Sequence, residues 1–317
     1  MANYLVTGGA GFIGSNLVDY LIEQGEAVRV VDNFLTGRRE NLVGSLGRVE
    51  LIEGDLRDPV VCARSVEDMH YVLHQAALPS VPRSMEAPAE SADCNLMATV
   101  RLLEASARAG VRRLVYAGSS SVYGDQPGET KDESASPRPL SPYAAAKLAG
   151  EAYCLVFHRA FGLETVTLRY FNVFGPRQDP DSPYSAVIPR FITAMLAGRP
   201  PTIYGDGGQS RDFTFVENVV RANVAAATAE DAAGGVYNVG CGRSYTLLEL
   251  AAEINAALGK RLAPIFEPPR PGDIRHSRAA IDAARRDLSY RVTVDFADGL
   301  RRTIDWFKER GVGGASD

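Results

Sequence analysis

Short apolar runs alternate along the first half of the chain with stretches whose apolar positions recur every three or four residues. These are the periods of a buried strand and of an amphipathic helix. Asn3–Thr7 predicts a strand, followed at once by Gly8, Gly9, Ala10, Gly11, Phe12, Ile13 and Gly14. A helix with Phe12, Ile13, Leu17, Val18, Leu21 and Ile22 on its apolar side comes next, closed by Gly25. Ala27–Val31 is again β-branched and apolar, and it runs into Asp32. Further strands are predicted at Arg48–Glu53, Tyr71–Gln75, Arg112–Ala117 and Thr165–Leu168, with helical stretches between them. Such alternation predicts an α/β fold built on a doubly wound parallel sheet.

Two longer helices stand out. One is predicted over Ala89–Ala109, with Leu96, Val100, Leu103 and Ala107 on one side; the other spans Tyr143–Phe161 and carries Leu148, Tyr153, Leu155 and Val156. Each is a core helix by default, and each is long enough to pair with its copy in a dimer. Beyond Asn172 the alternation stops and Pro and Gly accumulate from Pro176 to Gly208, which predicts a second, smaller α/β lobe. Helix Val216–Thr228 and strand Val236–Val239 resume the earlier style, so the chain is expected to return to the first lobe before leaving again. Thr246 and Glu249 form a capping box for the next helix. The division predicted is residues 1–171 plus about 212–240 for one domain, and about 172–211 plus 241–317 for the other.

A hydrophobic content of 45%, 23% charged residues and a net charge of -5 describe a chain that can bury a full core and has no basic surplus for nucleic acid. Its four cysteines have neither zinc spacing nor the density of a disulfide framework, so no metal is expected. Met1–Thr7 enters a strand directly, without the regions of a signal peptide, and no apolar run approaches the roughly 18 residues of a membrane span. A cytoplasmic protein is expected.

The glycines carry the first chemistry. Gly8 and Gly11 let the backbone turn tightly beside a pyrophosphate, and Gly14 packs helix against strand. The phosphates would sit on the helix N-terminus, where free amides and the dipole favour anions. Asp32 follows at about the distance, roughly 20 residues, of the acid that binds an adenosine ribose. The Rossmann-like setting of strand, turn, helix, strand and Asp predicts a dinucleotide site, with NAD favoured over NADP because the aspartate repels a 2′-phosphate. Arg38 and Arg39 are the residues that would clamp such a phosphate, although a solvated loop is the simpler setting. Asp55 and Leu56 follow the third strand, where they suit the adenine edge, and Gln75, Ala76 and Ala77 end the fourth.

The second centre is Ser119–Lys147. Tyr143 and Lys147, four apart, share one helix face, and a nearby ammonium is expected to lower the tyrosine pKa and make it a general base. Ser119, Ser120 and Ser121 put hydroxyls at a strand end.

Together, Thr7-Gly-Gly-Ala-Gly-Phe-Ile-Gly14, Asp32, the serine cluster and Tyr143-x-x-x-Lys147 resemble the extended short-chain dehydrogenase/reductase family. Within it, Arg169-Tyr-Phe-Asn-Val-Phe-Gly-Pro-Arg-Gln-Asp179, Ser210-Arg-Asp-Phe213 and Arg270-Pro-Gly-Asp273 resemble the nucleotide-sugar 4-epimerases, with the UDP-N-acetylglucosamine 4-epimerase group the nearest likeness. The resemblance implies an isomerase with NAD as cofactor and a UDP-sugar as substrate, in a homodimer. Tyr143, as phenolate, would take the sugar 4-hydroxyl proton while hydride passes from C4 to NAD, to be returned on the other face of a 4-keto sugar. Ser119 would bridge tyrosine and sugar oxygen, and Lys147 would also bond the nicotinamide ribose. Phe12, Ile13, Asn33 and Tyr170 join the glycines and Asp32 as implied cofactor contacts. Implied substrate contacts are Ser80, Ser119–Ser121, Tyr143, Asn172, Ala186, Val187, Tyr204, Arg211, Arg270 and Asp273, the two arginines holding the diphosphate. Ser277, four after Asp273, occupies the implied gatekeeper position beside the sugar C2 substituent, where serine leaves room for an N-acetyl group.

Three rivals follow from the same residues. A 4,6-dehydratase resembles sites with an Asp-Glu pair where Ser120 and Ser121 stand here. A UDP-glucuronate 4-epimerase or decarboxylase needs a group for the sugar carboxylate. A NAD-sensing regulator would not need Ser119, Tyr143 and Lys147.

Overall fold

In the computed structural model, described for residues 1–180, 186–269 and 274–311, the chain runs β1 (Asn3–Thr7), α1 (Phe12–Glu23), β2 (Ala27–Asp32), β3 (Glu50–Glu53), α2 (Pro59–Val66) and β4 (Tyr71–His74). It continues through α3 (Val81–Glu86), α4 (Pro88–Ala92), α5 (Ala98–Arg108), β5 (Arg113–Ser119), β6 (Thr130–Lys131), α6 (Pro142–Phe161) and β7 (Glu164–Tyr170). Then come β8 (Val173–Phe174), α7 (Val187–Leu196), β9 (Thr202–Tyr204), β10 (Ser210–Arg211), β11 (Thr214–Phe215), α8 (Val216–Thr228) and β12 (Val236–Val239). The last elements are β13 (Tyr245–Thr246), α9 (Leu247–Leu258), β14 (Ile265–Glu267), β15 (His276–Ala279), α10 (Asp282–Asp287) and α11 (Phe296–Glu309).

Seven strands form one sheet in the order β12-β7-β5-β4-β1-β2-β3, all parallel. Strand order therefore reverses between β1 and β4, the switch point at which doubly wound sheets open a crevice at their carboxyl ends. Each strand alternates sides. Tyr4, Val6, Tyr71, Leu73, Val115 and Ala117 pack with Leu17 and Val219 of α1 and α8. Leu5, Val72, Leu114 and Tyr116 pack on the other face with Cys62, Leu102 and Phe157 of α2, α5 and α6. A fully buried side chain of this size contributes about 1.5–3 kcal/mol, so the two-sided burial holds the strand ends in place.

A second sheet has the order β13-β10-β15-β6, and strands β11-β8 and β14-β9 pair in twos. Thr130 and Lys131 thus lie beside Arg278 and Ala279, far along the chain. The capping box of Thr246 and Glu249 is formed.

Two differences from the expectations bear on the site. The helix predicted over Ala89–Ala109 is broken by a π-helical turn at Asp93–Met97, which carries Asn95 to a buried position; such turns are common where a helix serves a site. Strand β5 runs past Ala117 because pairing with β7 continues through Ser119 opposite Tyr170. At Gly118 a Cβ would lie 2.9 Å from Thr167 Cγ2, so close strand packing requires glycine there.

Candidate active site

The glycine turn, Asp32, Gln75, Ser119 and Tyr170 stand at or just beyond the carboxyl ends of strands of the seven-stranded sheet. Gly8 takes φ +64°, and a Cβ on it would stand 2.8 Å from the Ala76 backbone; a Cβ on Gly14 would lie 2.1 Å from the Gly8 carbonyl oxygen. The turn therefore admits only glycine at both places. Helix α1 starts with Gly11 at its N-cap, no capping side chain and no acid in the first turn, so Phe12, Ile13 and Gly14 open a helix end suited to an anion.

Asp32 is buried at the end of β2, its carboxylate accepting from Ala10 N at 2.9 Å and Phe34 N at 2.8 Å. Burial pushes its pKa up, against the pull of those two amides. Arg38 is paired with Asp179 at 2.8 Å, and Arg39 with Glu53 at 2.5 Å while stacking on Phe34. Both guanidiniums are thus engaged with carboxylates in a surface loop. Asn33 donates to Asp55 at 2.9 Å, and Arg57 holds the Asp55 carboxyl well below the usual range. Leu56 is buried beneath them, its carbonyl 3.1 Å from Cys62 Sγ.

At the end of β4, Ala76 N donates to Thr7 Oγ1 at 3.1 Å, with Ala77 half-buried beyond it. Gln75 and Tyr170 meet each other: Gln75 Nε2 donates to Asn223 Oδ1 at 3.0 Å, and Asn223 Nδ2 donates to the Tyr170 hydroxyl at 2.8 Å. Ser80 caps α3, accepting from Arg83 N.

Ser119 ends β5, its hydroxyl 2.8 Å from that of Ser121, which with Ser120 begins a single 3-10 turn. Helix α6, capped by Ser141, brings Tyr143 and Lys147 alongside. Tyr143 is half-buried, with Ser119 of the neighbouring strand end the side chain that pulls its pKa down. Lys147 is almost fully buried, donates to the Ala117 carbonyl at 3.0 Å, and lies 6.0 Å from the Tyr143 ring centre. The expectation of a lowered tyrosine pKa is corrected here. Burial pushes Tyr143 up, with only Ser119 pulling the other way, and the Lys147 ammonium is bonded to the Ala117 carbonyl instead of the phenol. Lys147 itself is pushed down to about 8 by burial.

Beyond β7, Asn172 takes φ +26° and its carbonyl accepts from Thr214 N at 3.2 Å. Ala186 is the N-cap of α7 and Val187 its first residue. Tyr204 ends β9, with the Arg190 guanidinium 5.9 Å from its ring centre. Arg211 and Ser277 are register partners on β10 and β15. Arg270 and Asp273 lie outside the described residues. Among the described residues no helix is long and apolar enough to cross a membrane, and no group of three His, Cys, Asp or Glu is placed to hold a metal.

The NAD dependent epimerase/dehydratase family matches residues 4–240, with the glycine turn, Asp32, Ser119, Tyr143 and Lys147 all inside the match. The chain belongs to this family. A curated UDP-glucose 4-epimerase of Mycolicibacterium smegmatis is 40% identical over 96% of this chain and 98% of its own length. The UDP-N-acetylglucosamine 4-epimerase of Methanobrevibacter ruminantium M1, solved with UDP-N-acetylmuramic acid, is 41% identical with a TM-score of 0.93, covering 98% of this chain and 99% of that one. The UDP-glucuronic acid 4-epimerase of Bacillus cereus, solved with UDP-glucuronic acid and NAD, is 35% identical with a TM-score of 0.90, covering 97% and 99%. This chain is accordingly an NAD-dependent enzyme of the UDP-sugar 4-epimerase kind, an isomerase.

Around this epimerase-family site lie residues that the motifs did not reveal. His74 is buried between Thr7, 2.7 Å from Nδ1, and Thr99, 2.9 Å from Nε2. Thr99 donates to the Asn95 carbonyl, so its oxygen accepts the Nε2 proton and His74 is neutral; burial and the Lys147 charge push it down to about 3. Asn95 clasps Leu78 N and O at 2.8 and 3.3 Å. Arg169 and Glu151 form a buried ion pair behind the serine cluster. The only sequence signal for the first group was the i, i+4 spacing of Asn95 and Thr99; for the second there was none.

Proposed function

We propose that this enzyme interconverts UDP-GlcNAc with UDP-GalNAc, and also UDP-glucose with UDP-galactose, by oxidising the sugar at C4 and reducing the ketone on its other face. NAD, when bound, supplies the hydride acceptor and donor. The glycine turn and the open end of α1 suit its pyrophosphate, and Asp32 suits its adenosine ribose. Tyr143 takes the proton from the C4 hydroxyl and gives it back to the ketone oxygen, and Ser119, at the end of β5, holds that oxygen in line. Lys147 supplies positive charge beneath the tyrosine. Arg211 holds the diphosphate by its fork of donors.

The observation that carries the substrate reading is Ser277, half-buried and in register with Arg211. A small side chain beside a diphosphate-binding arginine leaves space for an acetamido group at C2. The test is a product assay with UDP-GlcNAc, UDP-glucose and UDP-glucuronate under one set of conditions. Turnover of the first two supports the reading; turnover of UDP-glucuronate alone replaces it with a uronate 4-epimerase.

The same reading includes the division into an NAD-binding half and a sugar-nucleotide lobe, a cytoplasmic location, and a homodimer formed through the exposed side of α6. That side presents Tyr153 and Val156, 43% and 51% exposed. Light scattering of Val156→Glu against the parent chain tests the dimer, a monomeric variant supporting it.

A further inference from the structure

Glu151 stands one helical turn beyond Lys147, so Tyr143, Lys147 and Glu151 line one stripe of α6. Its carboxylate receives a bidentate bond from Arg169 of β7, at 2.9 Å from Nε and 2.5 Å from Nη2. The pair is buried, with 4% and 12% of the two side chains exposed. The remaining arm of the guanidinium, Nη1, donates to the Tyr123 hydroxyl at 2.8 Å, and the plane stacks 4.8 Å from the Tyr123 ring centre. Tyr123 closes the 3-10 turn whose N-cap is Ser119. It donates in turn to Asn238 Oδ1 at 2.7 Å, and Asn238 Nδ2 reaches the Lys131 and Ala280 carbonyls at 3.0 and 3.1 Å. Those carbonyls belong to β6 and to the residue after β15, the strand that carries Ser277.

One buried guanidinium therefore touches the helix of Tyr143 and the turn of Ser119, and reaches the Ser277 strand through Asn238. A buried ion pair is weak grounds for stability, because apolar residues of the same volume often do as well. What a rigid bidentate fork provides is geometry. We propose that Arg169 is a positioning residue that sets the separation of the Ser119 and Tyr143 hydroxyls by holding Glu151 on one side and Tyr123 on the other. This rests on the reading of Ser119, Tyr143 and Lys147 as the proton-transfer group.

Two conservative variants test it. Tyr123→Phe keeps the ring under Arg169 and removes one hydroxyl; Glu151→Gln keeps the shape and removes the charge. The decisive readout is the ultraviolet titration of the Tyr143 phenolate, taken as the difference between each variant and its Tyr143→Phe partner. Around Tyr143 stand Ser119 and Tyr116 of β5 and Lys147 of its own helix, none altered by either change. If the clamp sets where the Ser119 hydroxyl stands relative to Tyr143, Tyr143 loses that downward pull and ionises at higher pH in both variants, and kcat falls about ten- to hundredfold at unchanged KM and bound nicotinamide. Loss of the Glu151 anion by charge alone moves the tyrosine the other way, so the sign separates positioning from simple electrostatics. Titration unchanged or shifted down in the folded variants, even with a lower Tm, overturns the proposal. If the parent chain turns over no UDP-sugar, the proposed function fails, while the titration still decides the clamp.

Discussion

The Lys147 ammonium is held by the Ala117 carbonyl at 3.0 Å and stands 6.0 Å from the centre of the Tyr143 ring. In the proposed mechanism the lysine acts on the tyrosine as a charge at a distance. Tyr143 acts in that mechanism as phenolate, so activity rises with pH; burial pushes Lys147 down to about 8, so the rise in log kcat/KM should flatten above that pH. In Lys147→Met the break should vanish and the rate fall by about 10²–10⁴. A pH–rate profile of both proteins checks this, and an unchanged break in the variant would remove Lys147 from the mechanism.

His74 makes stability depend on acid. Its folded pKa is near 3 against an ordinary 6.5, so between those values the unfolded chain takes up a proton that the folded one refuses. Stability from this group is complete above pH 6.5 and is lost as pH falls towards 3, with a slope approaching about 1.4 kcal/mol per pH unit. Buried Asp212, raised to about 6, opposes it over part of the range. The comparison is therefore urea unfolding of the parent and His74→Asn at several pH values, in which the variant should lack this acid-side loss.

Gly14→Ala should damage both the turn and cofactor retention. Its Cβ would fall 2.1 Å from the Gly8 carbonyl oxygen, so the backbone must shift. A cost of about 1–3 kcal/mol is expected, the range for overpacking, together with loss of bound nicotinamide. Tm and the nicotinamide content of purified protein measure the two effects.

Ser277→Tyr should separate the substrates. A phenol beside Arg211 fills the space assigned to the C2 acetamido group, so turnover of UDP-GlcNAc should fall at least about tenfold more than that of UDP-glucose, a difference of about 1.4 kcal/mol or more. Equal losses on both substrates would show that Ser277 does not face C2.

Much of this was legible from local pattern. The glycines at 8, 11 and 14, Asp32 at the end of its strand, the capping box at Thr246 and the one-turn spacing of Tyr143 and Lys147 depend on residues a few positions apart, whose periods and backbone demands are written in sequence order. Helix Val216–Thr228 and strand Val236–Val239 emerged with the predicted bounds for the same reason. The tertiary structure alone decided which way Tyr143 is shifted, because desolvation and the Lys147–Ala117 bond come from elements 30 residues apart. It also decided the neutral state of His74, the π-helical turn under Asn95, the neighbourhood of Arg211 and Ser277, and the Arg169 clamp. Each joins distant segments through burial and side-chain hydrogen bonds, forces that have no period along a chain.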